Sequence, residues 1–341
     1  MTVTLDEAYE RLHANGPEWG GNLSNHGPMA AEVLARRGHG DDVPAWVDNY
    51  VSRLDELPAP SEPITDDTWP AAVGDWNRVG DWTAYLVAQL GQRPWREVLT
   101  TWWPRLLPGI AAGATHSVIR TGHAVRTLLG GDESEPAVAE LGHALGYWAA
   151  RSTSVPGVRT PTGQLEPGAA LDAVPHLAEQ SGPIAGRLRR LGELSGWPES
   201  TAALRGADDP DTARARIVEV IDATTLRYLH YGYGSPVLLV HTATAPNAVL
   251  RVLPVLPTEM WAPSLGAVWA ASAAITSGYS PARPREGTTP APASPEDLVE
   301  QAVAHGDEHV IKFADTAVDV YERTGNPDAL AAAAHVRELI S

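Results

Sequence analysis

AAGATHSVIRTGHAVRTLL, residues 111–129, followed by Gly130 and Gly131, is the stretch whose reading decides the fold. Its apolar residues recur at helical spacing and do not alternate, and the paired glycines stop the run, so it reads as one long helix from Ala111 to Leu129. The same period continues on both sides. Helices are expected over Leu5–Ala14, Met29–Arg37, Pro44–Leu57, 80–91, 94–107 and Pro136–Arg151, with a Gly/Asn-rich loop over Gly16–Pro28. Shorter ones follow at 169–179 and 183–195, after a loop at 153–168. Thr212–Tyr231 is helical. Pro236–Val252 reads as a buried helix that Pro246 should bend or break. Trp261–Thr276 is Ala-rich and buried. Ser294 caps a helix running to Arg323, and Pro327–Ile340 is the last. No tandem repeat and no βα alternation occurs. The expectation is an all-α fold, a large helical bundle forming one domain over residues 1–341, with a Pro-rich surface linker at about 280–293.

Composition narrows the function classes. Apolar residues make up 43% and charged residues 20%, which supports a real core. Net charge is -17, from 42 acidic and 25 basic residues. Such a surface repels nucleic acid and anionic membranes. The absence of cysteine removes disulfides, thiolate metal sites and Cys nucleophiles together. Met1–Ala14 reads as an acidic amphipathic helix, not a signal peptide. The longest apolar stretch, Trp261–Thr276, is too short to span a bilayer. A cytoplasmic protein without membrane or nucleic-acid partners is expected. The 12 tryptophans against one phenylalanine read as core filling.

Several familiar chemistries have no support. There is no GxGxxG, no GxSxG and no HExxH in the chain, and a Walker A loop would need a Gly-Lys pair that the single lysine cannot supply. Histidine is the remaining stock. Of 12, His13, His39, His176 and His335 read as surface or rim residues, and His143 as helix packing. Four differ. His26 lies in Ser24-Asn25-His26-Gly27-Pro28, and His116 in an apolar helix start. His241 lies in the apolar run Leu238–Thr244, and His309 in Gly306–Lys312. Read singly, each is a core histidine with satisfied nitrogens. Four in apolar settings on four separate elements point to a shared metal, the simplest partner for several converging neutral imidazoles. His305, His123 and Glu308 are reserve ligands by spacing.

Lys312 is the only lysine among 25 basic residues. It stands three residues after His309, on the same helical face. A buried amine is held neutral. A neutral amine can add CO2 to form a carbamate, an anionic oxygen donor. The alternative is a surface lysine pairing with Glu308.

These segments together resemble the questin oxidase-like family. The matching stretches are Asn25-His26-Gly27, Pro108-Gly109-Ile110 through His116 to Ile119, His241-Thr242-Ala243-Thr244, and Asp307-Glu308-His309 through Lys312. The likeness runs from about Leu5 onward. No single motif is distinctive, but the ordered set of four is fairly specific. The resemblance implies a mononuclear non-haem Fe(II) held by His26, His116, His241, His309 and a CO2-derived carbamate on Lys312. It also implies O2 as co-substrate and Baeyer–Villiger-like ring cleavage of an anthraquinone-type aromatic small molecule. Five protein donors leave one position on an octahedral metal. Either one donor is displaceable or the substrate binds beside the metal. Arg120, one turn after His116, is expected to hold a substrate phenolate or carboxylate, with a surface salt bridge as the alternative. Two other function classes remain open: a zinc hydrolase or lyase in the same histidine cage, and a non-catalytic helical binding protein.

Overall fold

A computed structural model describes residues 3–286 and 288–340. Helix dominates, and the ladder of regular strands is limited to one two-residue hairpin among the described residues. The chain divides into two compact units, residues 1–154 with 254–257 and residues 155–253 with 258–341.

The first unit contains α1 (Val3–His13), α2 (Gly27–Arg36), α3 (Val43–Val51), α4 (Trp69–Ala72), α5 (Val79–Gln92), α6 (Trp95–Leu106), α7 (His116–Leu129) and α8 (Glu135–Arg151). Its centre is the packing of α8 on α5 and α7. Gly142 and Gly146 make the α5–α8 approach possible. A Cβ at Gly142 would lie 2.7 Å from Val87 Cγ2, and one at Gly146 would lie 3.0 Å from the Thr83 backbone. Trp82, Trp102, Trp103 and Trp148 are fully buried here. Trp82 meets Trp102 edge-to-face at 5.4 Å, and Trp103 meets Trp148 in the same way at 5.3 Å. The indole N–H of Trp82 donates to Ala72 O at 3.0 Å, and that of Trp148 to Gly109 O at 3.1 Å. Trp82 and Trp148 therefore fill core and keep their donors satisfied.

Two local expectations change in this unit. The Gly16–Pro28 segment is not a plain loop. It holds an antiparallel hairpin, β1 (Glu18–Trp19) and β2 (Leu23–Ser24), paired Glu18 to Ser24 and Trp19 to Leu23. The long helix expected from Ala111 begins only at His116. Gly113 (φ 53°, ψ 39°), Ala114 (φ 57°, ψ 41°) and Thr115 (φ 72°, ψ 0°) all adopt left-handed backbone and interrupt it. Residues 111–115 are a run of small residues without proline, so the break shows only in the backbone angles.

The second unit contains α9 (Pro167–Asp172), α10 (Ile184–Leu191), α11 (Trp197–Ala203), α12 (Pro210–Tyr231), α13 (Pro236–Leu239), α14 (His241–Val252), α15 (Trp261–Tyr279), α16 (Pro295–His305), α17 (Glu308–Thr324) and α18 (Pro327–Leu339). Asp209 starts α12 by accepting from Thr212 N at 2.9 Å. Helix α12 packs against α14, α15, α17 and α18. Tyr228, Val240, Ala243, Phe313 and Ala317 lie in the apolar core between them. The helix expected from Ser294 to Arg323 is two helices. Gly306 (φ 81°) caps α16 in the left-handed region, and Asp307 starts α17 afresh. The Pro-rich stretch at 280–293 has no helix among the described residues, and Gly287 and Met1 lie outside them.

Of the bend or break expected at Pro246, no break occurs: α14 runs through it. A proline cannot donate to the carbonyl four residues before it. That carbonyl belongs to Thr242, and Ser272 on α15 donates its hydroxyl to it at 3.1 Å. A neighbouring helix thus supplies the missing hydrogen bond. The stretch Pro236–Val255, rather than Trp261–Thr276, is long and apolar enough to cross a membrane by length and composition alone, and 72% of that window is buried inside the protein. Ser272→Ala should leave the Thr242 carbonyl buried without this donor. We expect a loss of about 1–3 kcal/mol in denaturant unfolding, and an unchanged midpoint would show that the helix tolerates Pro246 unaided.

Candidate metal centre

Each of the four singled-out histidines stands at the beginning of a helix, and one of these helices, α17, is capped by a side chain, that of Asp307. His26 is the N-cap residue of α2. Before it, the Asn25 side chain accepts from Gly27 N at 2.9 Å and donates to Gly16 O at 3.1 Å. The His26 N–H donates to the Tyr50 hydroxyl at 2.7 Å. His116 is the first residue of α7, directly after the left-handed turn. Its Nδ1 is against the Gly113 carbonyl in a short hydrogen bond. A carbonyl only accepts, so Nδ1 carries the proton and Nε2 keeps its lone pair.

Within the first unit the two rings meet. His26 Nε2 and His116 Nε2 are 2.7 Å apart, with ring centroids 4.4 Å apart and planes at 85°. Two adjacent imidazole ligands of one cation, each at about 2.1 Å, would hold their nitrogens about 3 Å apart. The observed separation is close to that. Without a cation, His26 Nε2–H donates to His116.

Within the second unit, His241 begins α14 and is fully buried, and His309 lies in the first turn of α17. Their ring centroids are 5.8 Å apart. Asp307 caps α17 by accepting from His309 N at 2.8 Å and Val310 N at 3.2 Å. Burial opposes its ionisation, yet the His309 ring and these two N–H groups bring its carboxyl down to about 2. Lys312 sits one turn after His309 and is 1% exposed. Its Nζ has no hydrogen-bond partner among the described residues. Burial pulls the amine from 10.5 down to about 7, although Glu308 and Asp307 pull the other way.

The four imidazoles form one group. Each of His26, His116, His241 and His309 is buried and offers a ring nitrogen, and these atoms all lie within 4.8 Å of one another, so the group could hold a metal ion. The donor set suits one: four imidazole nitrogens, with Lys312 one turn after His309 on α17. Of the reserve ligands, Glu308 stays close, sharing a second such group with Asp307 and His309.

His123 and His305 are engaged elsewhere. His123 Nδ1 is 2.8 Å from Glu32 Oε2, and Arg126 holds the other oxygen of the same carboxylate at 2.8 Å. Burial opposes ionisation of Glu32, but Arg126 and His123 bring it down to about 2. His305 Nε2 donates to Ile340 O at 2.9 Å. Arg120 is neither exposed nor open-handed. Its guanidinium grips Glu140 with two hydrogen bonds, at 2.6 and 2.7 Å, in a buried pair. His13, read as a rim residue, also reaches Glu140, at 2.8 Å, and stacks on His143 with centroids 4.1 Å apart.

The buried carboxylates Glu18, Glu32 and Glu140, each answered by an arginine, escaped sequence reasoning. Their partners lie 20 to 133 residues away, so no local spacing announces them.

A scan against protein-family models finds no match for this chain, and a search of curated proteins finds no relative.

The depressed Lys312 value has a stability consequence. Between pH 7 and 10.5 the unfolded chain binds a proton at Lys312 that the folded chain lacks, so stability rises with pH across that window. Lys312→Met should abolish this slope and stabilise the metal-free protein at pH 7 by on the order of 3–5 kcal/mol. Denaturant unfolding of both proteins from pH 7 to 10 checks it. Parallel profiles would mean that the amine ionises freely.

Proposed function

We propose that this chain is a mononuclear non-haem iron oxygenase that cleaves an aromatic polyketide of the anthraquinone type with O2. The observation that carries the reading is the meeting of four buried histidine nitrogens within 4.8 Å. The ordered resemblance to the questin oxidase-like family runs through those same four residues and supports the choice of iron and substrate class. Imidazole with one oxygen donor suits iron.

His26, His116, His241 and His309 would hold the ion, each through one ring nitrogen. Bound iron(II) supplies the one-electron chemistry that lets O2 react with a closed-shell aromatic ring. The remaining roles belong to the chain. The Gly113 carbonyl keeps the His116 proton on Nδ1, which leaves Nε2 free to ligate. The apolar core around Val240, Ala243, Val310 and Phe313 excludes water from its side of His241 and His309.

Lys312 would provide the anionic donor. Its neutral Nζ lone pair attacks the carbon of CO2, an N–C bond forms, and one proton leaves to solvent. The product is a carbamate of charge −1. A carboxylate-like oxygen then stands where an amine would offer no anionic charge. Glu308, close to His309, is the carboxylate that could serve if Lys312 stays unmodified.

The test starts from metal-free protein loaded with Fe(II) without oxygen. Adding a hydroxyanthraquinone and O2, with and without a two-electron reductant, should give oxygen uptake matched to a ring-opened acid: one labelled oxygen with the reductant consumed for insertion of a single atom, or both oxygens without it. Labelled bicarbonate should place one carbamate carbon on Lys312, and Lys312→Met should lose it together with most activity. A zinc-loaded form that hydrolyses esters while the iron form takes up no O2 would replace this reading with the hydrolase.

A further inference from the structure

Tyr147, on α8 in the first unit, is fully buried and belongs to no ligand set. Its hydroxyl donates to Glu18 Oε1 at 3.0 Å and lies 2.7 Å from Ser24 Oγ, which donates in return. Arg151 fixes Glu18, its Nε donating to the same oxygen at 2.8 Å. Ser24 is two residues before His26 and pairs with Glu18 across the hairpin. On the other side the same hydroxyl lies over Gly113. A Cβ added there would be 2.5 Å from the phenol oxygen and 3.0 Å from the carbon that bears it. Gly113 is the residue whose carbonyl takes the His116 proton.

One phenol therefore touches both segments that deliver the first unit's histidines. We infer that Tyr147 is a positioning residue. Its hydroxyl and ring hold the hairpin and the left-handed turn so that His26 and His116 present their Nε2 atoms to one cation. The inference rests on reading the four histidines as a metal group.

Neither segment is self-supporting. A ladder of two residues per strand is too short to set its own position. The turn is costly, because left-handed backbone is disfavoured for any residue but glycine, and Ala114 and Thr115 are two in succession. Such a turn persists only where its surroundings over-determine it. Burial and the Glu18 carboxylate both oppose the phenol's ionisation, so Tyr147 keeps the proton it donates. Glycine at 113 is then required twice, for its positive φ and for the space the phenol occupies.

Tyr147→Phe tests this in the full chain, because the ring stays over Gly113 while both hydrogen bonds go. Two readouts are compared: Co(II) titration, followed by the visible absorption bands of the bound ion, and imidazole nitrogen NMR of the metal-free protein. We expect Co(II) affinity to fall roughly ten- to a hundredfold, with shifted bands. His116 should lose the single Nδ1–H signature that the wild type shows. Trp82→Phe, which trims a buried ring in the same unit, should lower stability while leaving both readouts as in the wild type. Retention of affinity and of the His116 signature in Tyr147→Phe would overturn the assignment. So would an equal loss in Trp82→Phe, since stability alone would then account for it. If the wild type binds no Co(II), the metal reading itself fails. The nitrogen spectra then decide alone, and an unchanged His116 signature in Tyr147→Phe refutes the positioning role.

Discussion

An imidazole buried in a protein core needs something for each polar nitrogen to face, and a buried amine needs a counterion or must give up its proton. This chain carries four imidazoles to one place, within 4.8 Å of each other, and buries its only lysine one turn from one of them. Apolar packing alone would select against such a grouping. Leucine at those positions would bury more apolar surface and leave no polar atom to satisfy.

The irregularities of the fold gather around that requirement. Three left-handed residues precede His116, and a two-residue hairpin leads into His26. Gly306 breaks the helix three residues before His309, and Pro246 follows His241 within the same helix. Each departure has its own local repair: Asn25 around Gly27, Tyr147 over Gly113, Asp307 at the start of α17, and the Ser272 hydroxyl on the Thr242 carbonyl. Real proteins depart from ideal local structure mainly where function asks for it. The departures here cluster beside the candidate ligands, on helix starts, where backbone geometry aims a side chain more tightly than a mid-helix rotamer would.

Much of this was legible in the sequence. Helical periodicity is a property of neighbouring residues, so the all-α class and most helix positions could be read directly, as could the unusual settings of His26, His116, His241 and His309. The solitude of Lys312 among arginines singled it out, while its burial, against the surface pairing with Glu308, needed the structure. What stayed hidden depends on distant partners or on backbone angles. The pairings of Arg120 with Glu140 and of His123 with Glu32 join elements far apart in the chain, and both candidate roles, substrate clamp and reserve ligand, meet a carboxylate already in place. The left-handed turn at Ala114 and Thr115 uses residues with no preference for left-handed backbone, so local sequence does not announce it. Tyr147 carries no signal at all, since a tyrosine in an apolar helix reads as filling.

The metal environment itself offers the most direct measurement. X-ray absorption at the iron edge of the reconstituted protein reports how many imidazoles scatter around the ion and whether an oxygen donor joins them. The account requires one iron per chain, four imidazole nitrogens and one protein-derived oxygen. Iron bound by fewer than three imidazoles, or protein that takes up no iron in stoichiometric amount, would contradict it.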